Sequence, residues 1–307
     1  MNTFGKNFSF TSFGESHGLA IGGVLDGVPA GLSIDMDMIR AELERRSGRN
    51  RVGASPRAMR EPDEVEWLSG VIEKDGDWVT LGTPIAFLIR NTDARPEDYE
   101  WLKDHYRTGH ADRTYEQKYG IRDWRGGGRA SARETAGRVV AGCIAKQLLR
   151  LRGIHIHAEL VQVGAETDSA KFADTIARYK KEGDSIGGIV ACTISGLKAG
   201  VGEPIFNKLQ AELAFAVMSI NACKGFEYGT GFGGVTEPGS AINHISGGIA
   251  GGISDGTEVR FRCVFKPTPS TPKAGVNGRH DACVAVRAVP VVEAMTALCL
   301  QNLLELC

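Results

Sequence analysis

Several features that would assign a function directly are missing from this chain. Its seven cysteines include no CxxC pair, and no apolar run approaches the roughly 20 residues that span a bilayer. The first twelve residues alternate aromatic and polar side chains, without the apolar core typical of a signal peptide. We therefore expect a cytoplasmic protein whose thiols are reduced and mostly buried.

Familiar catalytic motifs are missing as well. The sequence contains no HExxH, no GxxxxGK[ST] and no GxSxG, which argues against zinc peptidase, nucleotide hydrolase and serine hydrolase chemistry. The run GTGFGG at 229–234 fits GxGxxG, but it follows a predicted helix and runs into Pro238, unlike a dinucleotide site. His155 and His157 share a strand face without a third ligand at metal-ligand spacing, so we expect no metal site.

The chain has no excess of either charge. Its 36 basic and 37 acidic residues leave a formal net charge of −1, which argues against a general nucleic-acid binder. The arginines are nevertheless clustered, with seven between Arg40 and Arg60 and five between Arg122 and Arg138. Because the guanidinium fork suits phosphate and carboxylate, the clusters predict a small ligand with several anionic groups.

The hydrophobic pattern predicts mixed helices and strands. The 307 residues are 42% hydrophobic, enough to bury a sizeable core. Strand patterns cover 20–26, 85–91, 154–164, 186–195 and 258–266. Helical periodicity covers 35–46, 131–150, 169–181, 206–221 and 289–305. Helices 131–150 and 206–221 are apolar or small almost all round, so we expect both to be buried on several sides.

An internal echo relates the two halves of the chain. The run GESHG at 14–18 returns as GDSIG at 183–187, with Ile186 in place of His17, and two later runs repeat at nearly the same spacing. The echo predicts an α+β fold, a β-α-β sandwich with central helices and an internal pseudo-twofold repeat. No linker separates the halves, so we expect a single domain over 1–307, with halves of roughly 1–165 and 166–307. Since the fold can be built with isoleucine at this position, His17 is a candidate for chemistry at one site per subunit.

Four other segments could bind ligand or take part in chemistry, and each has a plainer alternative. The run RGGGRASARE at 125–134 leads into a helix start that suits a phosphate, or is a glycine turn with Ser131 as helix cap. The basic run 45–51 suits an anion, or is a solvated loop. For His110 the alternatives are a catalytic acid or base and an exposed loop residue without a role. For Asp281 they are a chemical role and a helix cap. The hydroxyl-rich run 266–272 is suited to bind the polar edge of a cofactor, and the alternative is an ordinary turn.

Several long blocks of the sequence are distinctive. They are FGESHG at 13–18, GHAD at 109–112, YEQKYGIRDWRGGGRASARE at 115–134, MSINA at 218–222, and GRHD at 278–281 with RAVP at 287–290. Together they closely resemble the chorismate synthase family nearly from end to end. The resemblance implies a lyase of the shikimate pathway that converts 5-enolpyruvylshikimate 3-phosphate to chorismate and phosphate. It also implies an anti-1,4-elimination with reduced FMN, the last common step of aromatic amino-acid biosynthesis, and a homotetramer of β-α-β sandwich subunits.

The resemblance also implies roles for individual residues. His17 would protonate the departing phosphate, His110 would serve the reduced flavin near N1, and Asp281 would assist proton removal at flavin N5. The implied substrate-binding residues are Arg45, Arg46, Arg51 and Arg107. The implied FMN-binding residues are Arg46, Arg51, Arg129, Ala130, Ser131, Asn221, Ala222, Gly251, Lys266, Pro267, Thr268, Pro269, Ser270 and Arg279.

The sequence also departs from the family pattern. Pro269 replaces a usual serine, Ala282 replaces a usual proline, and the chain is short, with deletions expected after Gly164, between Phe232 and Asn243, and between Thr271 and Arg279. No reductase domain is added, so we expect an external source of reduced FMN, and the sequence leaves open whether NADPH serves this chain directly. The alternatives are a phosphate-eliminating lyase for another polyanionic substrate, and a phosphate-ligand or RNA-binding protein.

Overall fold

A computed structural model describes residues 1–49, 61–240, 246–276 and 281–304. The strands are β1 Thr3–Phe4, β2 Ser9–Phe13, β3 Ala20–Asp26, β4 Ser33–Ile34, β5 Glu66–Ser69, β6 Val71–Lys74, β7 Asp77–Thr80, β8 Ile85–Arg90, β9 His155–Val163, β10 Gly188–Ser195, β11 Cys223–Tyr228, β12 Ile249–Ala250, β13 Ile253–Ser254 and β14 Val259–Phe265. The α-helices are α1 Met36–Ser47, α2 Asp112–Tyr119, α3 Thr135–Leu151, α4 Phe172–Lys181, α5 Leu209–Met218 and α6 Ala285–Leu304.

The described strands form two larger sheets with one shared topology. The first has the order β1-β2-β3-β8-β5 and the second β11-β14-β10-β9, and their pairings are antiparallel. Apart from β1 and the strands of the two smaller sheets, each half has two paired strands before a helix (α1 or α5) and two more strands after it, and a long helix ends the unit. The α+β fold and the internal repeat expected from the sequence are therefore confirmed. Strand β9 belongs to the second sheet, although it lies before residue 165, where the first half was expected to end.

Two long helices lie between the sheets. Helices α3 and α6 pack against each other, α3 also against β2 and β3, and α6 against β9 and β10. Almost every residue of both helices is buried. Their close approach needs a small residue at Gly142, where an added Cβ would strike the Ala294 side chain and backbone. The central helices of the expected sandwich are thus α3 and α6.

The expectation that helix 206–221 is buried on several sides is wrong. Helix α5 is shorter, Leu209–Met218, and buries only one face. Phe215 on its other face is 63% exposed, and Met218 at its end is exposed as well. Because α5 carries apolar side chains on all sides of its axis, the sequence pattern did not distinguish its buried face from its solvent-exposed face.

The other predicted elements agree closely with the structure. Strand 20–26 has the predicted bounds, and the other four predicted strands begin and end within two residues of those observed. Helix α6 begins at Ala285, four residues before its predicted start, and contains Pro290 in its interior.

The six described cysteines are unpaired and buried, as expected. In the described part of the chain, no helix is both long and apolar enough to cross a membrane.

Candidate active site

A cavity lined by several of the predicted residues has a volume of about 460 Å³, within the range of small-molecule sites. Loops from both halves of the chain line it. The lining comes from the β2–β3 loop, the end of α1, residues 61–63, the segments on both sides of α2, the turn before α3, the loops after α5 and β14, and the beginning of α6. The repeated topology therefore brings distant parts of the sequence to one place.

His17 lies in the loop between β2 and β3 and is 6% exposed. Its imidazole packs edge-on against the ring of Tyr99, with 4.8 Å between the ring centroids. On another side the backbone passes at Gly126, where φ is +60° and an added Cβ would overlap the imidazole. The ring is held between an aromatic side chain and a stretch of backbone that only glycine allows.

Two side chains fix the loop that carries His17. The amide nitrogen of Asn91 donates to the carbonyl groups of Glu15 and Gly18, at 3.0 and 2.9 Å. The guanidinium of Arg129 donates to the carbonyl of Gly14 at 2.8 Å. The imidazole is thus oriented by its backbone as well as by its packing.

His110 belongs to a compact triad with Arg107 and Asp112. The Asp112 carboxylate accepts from Arg107 Nε and Nη2, at 2.9 and 2.7 Å. His110 Nδ1 lies 3.0 Å from Asp112 Oδ1 and 3.0 Å from Arg107 Nη2. Burial tends to raise the pKa of Asp112, but hydrogen bonds from Arg107 and His110 hold that pKa well below its usual range. Asp112 is therefore a carboxylate throughout the physiological range.

A second buried cluster joins Arg46, Asp63 and Arg133. Arg46 Nη2 lies 2.9 Å from Asp63 Oδ2, and Arg133 contacts the other carboxylate oxygen. Burial lowers the pKa of Arg46 to about 10, although Asp63 opposes this shift. Burial alone would raise the pKa of Asp63, but the two arginines lower it to about 2. Arg46 and Asp63 are therefore charged at neutral pH. Arg133 also lies 3.5 Å from the buried carboxylate of Glu61, so two carboxylates hold the two guanidinium groups at the cavity wall.

Asp281 is buried just before α6 and is oriented from that helix. Arg287 Nη1 donates to Asp281 Oδ2 at 2.7 Å, and Arg287 Nε donates to the carbonyl of Arg46 at 2.9 Å. One arginine therefore connects the candidate acid–base carboxylate to the end of α1.

The loop after β14 forms part of the cavity wall. Lys266 Nζ donates to the carbonyl of Gly109 at 2.7 Å, which joins this loop to the segment carrying His110. Burial lowers the pKa of Lys266.

Ser185, in the second copy of the echoed run, donates from Oγ to the carbonyl of Thr268 at 2.7 Å. Ile186 is not among the residues that line this cavity, and the contact of Ser185 joins the second copy to the cavity wall.

Most of the predicted site residues meet in this cavity. The lining includes His17, His110, Asp281, Arg46, Arg107, Ala130, Ser131, Asn221, Ala222, Lys266, Thr268, Pro269 and Ser270. Ser131 also caps the turn before α3, accepting from the Arg133 amide. Arg51 and Arg279 lie outside the described residues.

Four predicted residues lie elsewhere. Arg45 pairs with Glu293, at 3.0 Å, and with Glu42, at 2.6 Å, in a cluster that also contains Lys146. Arg129 is not part of the lining, and it contacts the loop that carries His17 through the carbonyl of Gly14. Gly251 lies between β12 and β13, and Pro267 is not part of the lining although its neighbours are. Their roles in binding stay predictions.

The sequence interpretation missed several cavity residues. They include Glu61, Asp63, Tyr99, Trp101, Arg133 and Arg287. The two arginines lie in blocks that carried the family resemblance, so that signal was present. Asp63 and Tyr99 lie in segments without a motif, and only the folded chain brings them to the cavity.

His17, which is buried, His110, which is half-buried, and the ion-paired arginines define an enzyme site for an anionic small molecule. Residues 8–304 match the family model for chorismate synthase. Chorismate synthase of Porphyromonas gingivalis is 47% identical, over 98% of this chain and 95% of that protein. The protein of the same name from Christiangramia forsetii is 46% identical, over 98% and 96%. A crystal structure of chorismate synthase covers 98% of this chain and 92% of its own, with 28% identity and a TM-score of 0.75.

The chain belongs to the chorismate synthase family and is a lyase. The two alignments extend over 349 and 355 positions, whereas this chain has 307 residues. These relatives therefore contain internal segments that this chain lacks, in agreement with the short loops inferred from its sequence.

Proposed function

We propose that this cavity is the active site of a chorismate synthase. It would convert 5-enolpyruvylshikimate 3-phosphate to chorismate and phosphate by anti-1,4-elimination in the presence of reduced FMN. The observation that carries the proposal is the convergence of His17, His110 and Asp281 on one cavity lined by arginines. Proton-handling groups and fixed cations are what loss of phosphate requires from a protein.

The residues of the cavity fit a flavin nucleotide. The buried Asn221 Oδ1 has no hydrogen-bond partner within the described chain, while its amide nitrogen donates to the Ala130 carbonyl at 3.0 Å. Lys266, Thr268 and Ser270 add a cation and two hydroxyl groups nearby. We infer that this wall, together with Ala130, Ser131 and Ala222, holds FMN. When bound there, reduced FMN would supply the electron density that helps phosphate to leave and would regain it on loss of the hydrogen.

His17 is the proposed proton donor to the departing phosphate. Its burial between Tyr99 and Gly126 limits access of water and leaves the ring one orientation. Both effects favour proton delivery to a bound group over exchange with solvent. Arg46, Arg107 and Arg133 would stabilise the charge of the substrate phosphate and carboxylates, from positions already fixed by buried carboxylates.

Asp281 and His110 are the proposed groups that handle protons at the flavin. Arg287 holds the Asp281 carboxylate in one orientation, ready to accept a proton. His110 is anchored through Nδ1, so Nε2 would exchange the proton with bound flavin. Arg45 and Arg129 would contribute indirectly, and contacts from Arg51, Arg279 and Gly251 are part of the same proposal.

We also propose a homotetramer that receives reduced FMN from outside the chain. The exposed apolar side chains of Phe206, Phe215 and Phe232, which are 83%, 63% and 86% exposed, support burial by further subunits. Light scattering of the purified protein measures the mass directly. A monomer at working concentration would contradict this part of the proposal.

An anaerobic assay tests the proposed reaction. The purified protein is mixed with reduced FMN and 5-enolpyruvylshikimate 3-phosphate, and phosphate release and chorismate absorbance are followed together. We expect both products in equal amounts. Phosphate without chorismate would indicate a different elimination, and absence of both products would refute the proposal.

A further inference from the structure

We propose that Asp112 is a positioning residue which, with Arg107, lets His110 keep its proton on either ring nitrogen while the ring stays fixed. The inference rests on the proposed function, because it explains how His110 could both donate and accept a proton at the flavin.

The geometry of three atoms carries the proposal. Asp112 Oδ1, Arg107 Nη2 and His110 Nδ1 form a triangle with sides of 2.7, 3.0 and 3.0 Å. A neutral imidazole has a proton on one nitrogen and a lone pair on the other. Nδ1 therefore has a good partner in either state, since it can donate to the Asp112 carboxylate or accept from the Arg107 guanidinium.

The two states differ at the other ring nitrogen. When Nδ1 donates to Asp112, Nε2 has a lone pair and can act as a base. When Nδ1 accepts from Arg107, Nε2 carries the proton and can act as an acid. Because Arg107 and Asp112 neutralise each other, neither state leaves an unpaired buried charge. A carboxylate alone would favour only the first state.

The surroundings keep the three groups in place. Arg107 and Asp112 are 8% and 4% exposed, and the Arg107 backbone amide also donates to Asp112 Oδ2 at 3.0 Å. The main chain at Gly127 closes over the triad, where an added Cβ would lie 2.7 Å from His110 Cε1 and 2.9 Å from Arg107 Nη2. Both tautomers therefore fit the same rotamer, and the ring changes from one to the other by gaining a proton at one nitrogen from solvent and losing a proton from the other to solvent.

Nitrogen NMR of ring-labelled histidine tests the proposal on the full-length protein without flavin or substrate. Spectra are recorded at about pH 8.5, where an ordinary imidazole is neutral, and the His110 signals are assigned from their loss in His110→Gln. We expect both ring nitrogens to have shifts between the protonated and unprotonated values. In Asp112→Asn the acceptor charge is lost, so Nδ1 should become unprotonated and Nε2 protonated. In Arg107→Met the opposite change is expected, which keeps the test open if one variant does not fold.

The matched control is Glu116→Gln. Glu116 lies one turn further along α2 and also pairs with an arginine, Arg122, at 2.7 Å, but it is outside the cavity lining. Its substitution should leave the His110 signals unchanged. It should also leave chorismate formation within about twofold, whereas Asp112→Asn should lower kcat on the order of 100-fold.

A single tautomer in the wild-type protein that does not change in Asp112→Asn or Arg107→Met would overturn the proposal. Full activity of a folded Asp112→Asn would also overturn it. Failure of the proposed function is recognised separately, because the wild-type protein would then form no chorismate while the ring-nitrogen signals still report on the triad.

Discussion

Substitution of Gly126 by alanine should disable the site by moving His17. Gly126 and Gly120 both have left-handed backbone, with φ of +60° and +75°. An added Cβ at Gly126 would lie 3.2 Å from His17 Cγ and closer still to Nδ1 and Cε1, whereas at Gly120 it would meet no atom within 4 Å. The two glycines thus share the conformational strain and differ in the clash with His17.

The expected magnitudes follow from this difference. Left-handed backbone costs an alanine about 1–2 kcal/mol, and this applies to both variants. Overpacking adds about 1–3 kcal/mol at Gly126 alone, so Gly126→Ala should lose about 2–5 kcal/mol of unfolding free energy in all. If the imidazole is displaced to make room, the rate contribution of a positioned general acid, on the order of 100-fold or more, is lost as well.

The comparison uses urea unfolding, FMN binding and the anaerobic chorismate assay on both variants. Gly120→Ala should be slightly destabilised and fully active, and Gly126→Ala should remain folded at low temperature but be nearly inactive. If the two variants had equal activity, either the imidazole would not lie against Gly126 or His17 would not be needed for the reaction.

Three further substitutions test other parts of the account. His17→Ala should fold and bind FMN but lose on the order of 100-fold or more in chorismate formation, and a failure to fold would show a structural role instead. Asp63→Asn should lower the unfolding free energy by at least about 2 kcal/mol at neutral pH, because the folded-state pKa of Asp63 is depressed to about 2. In the wild-type protein this contribution is complete above about pH 4 and disappears toward pH 2, so a flat pH dependence of urea unfolding there would contradict it. Glu293→Gln should destabilise by about 1–3 kcal/mol in urea unfolding, since Arg45 and Lys146 lose the more deeply buried of their two carboxylate partners and keep only Glu42; a variant as stable as the wild type would contradict the pairing.

Much of the fold could be predicted because its signals are local or repeated. The alternating pattern of β14, with every second side chain buried, depends on neighbouring residues alone. The echo between 14–18 and 183–187 predicted the shared topology. Helix α5 was misjudged because its apolar surface is only partly covered, and a sequence pattern does not show which neighbours cover it.

The site residues also fall into those that local sequence predicts and those that only the fold brings together. His17, His110 and Ser131 lie in distinctive runs, and the structure places them in one cavity. Asp63, by contrast, pairs with Arg133 across 70 positions of the chain, and Tyr99 meets His17 only through the fold. Contacts of this kind depend on strand order and loop path, which residue spacing does not encode. For Arg45, the adjacent Arg46 has a similar sequence context, but the helix turns the two side chains to different partners.

The most direct test of the central claim is a crystal structure of the protein with oxidised FMN and 5-enolpyruvylshikimate 3-phosphate. The account predicts both molecules in the cavity, with the substrate phosphate near His17 and the flavin between His110 and the loop from Lys266 to Ser270. Density for either molecule outside this cavity, with the cavity itself filled by water, would contradict the account.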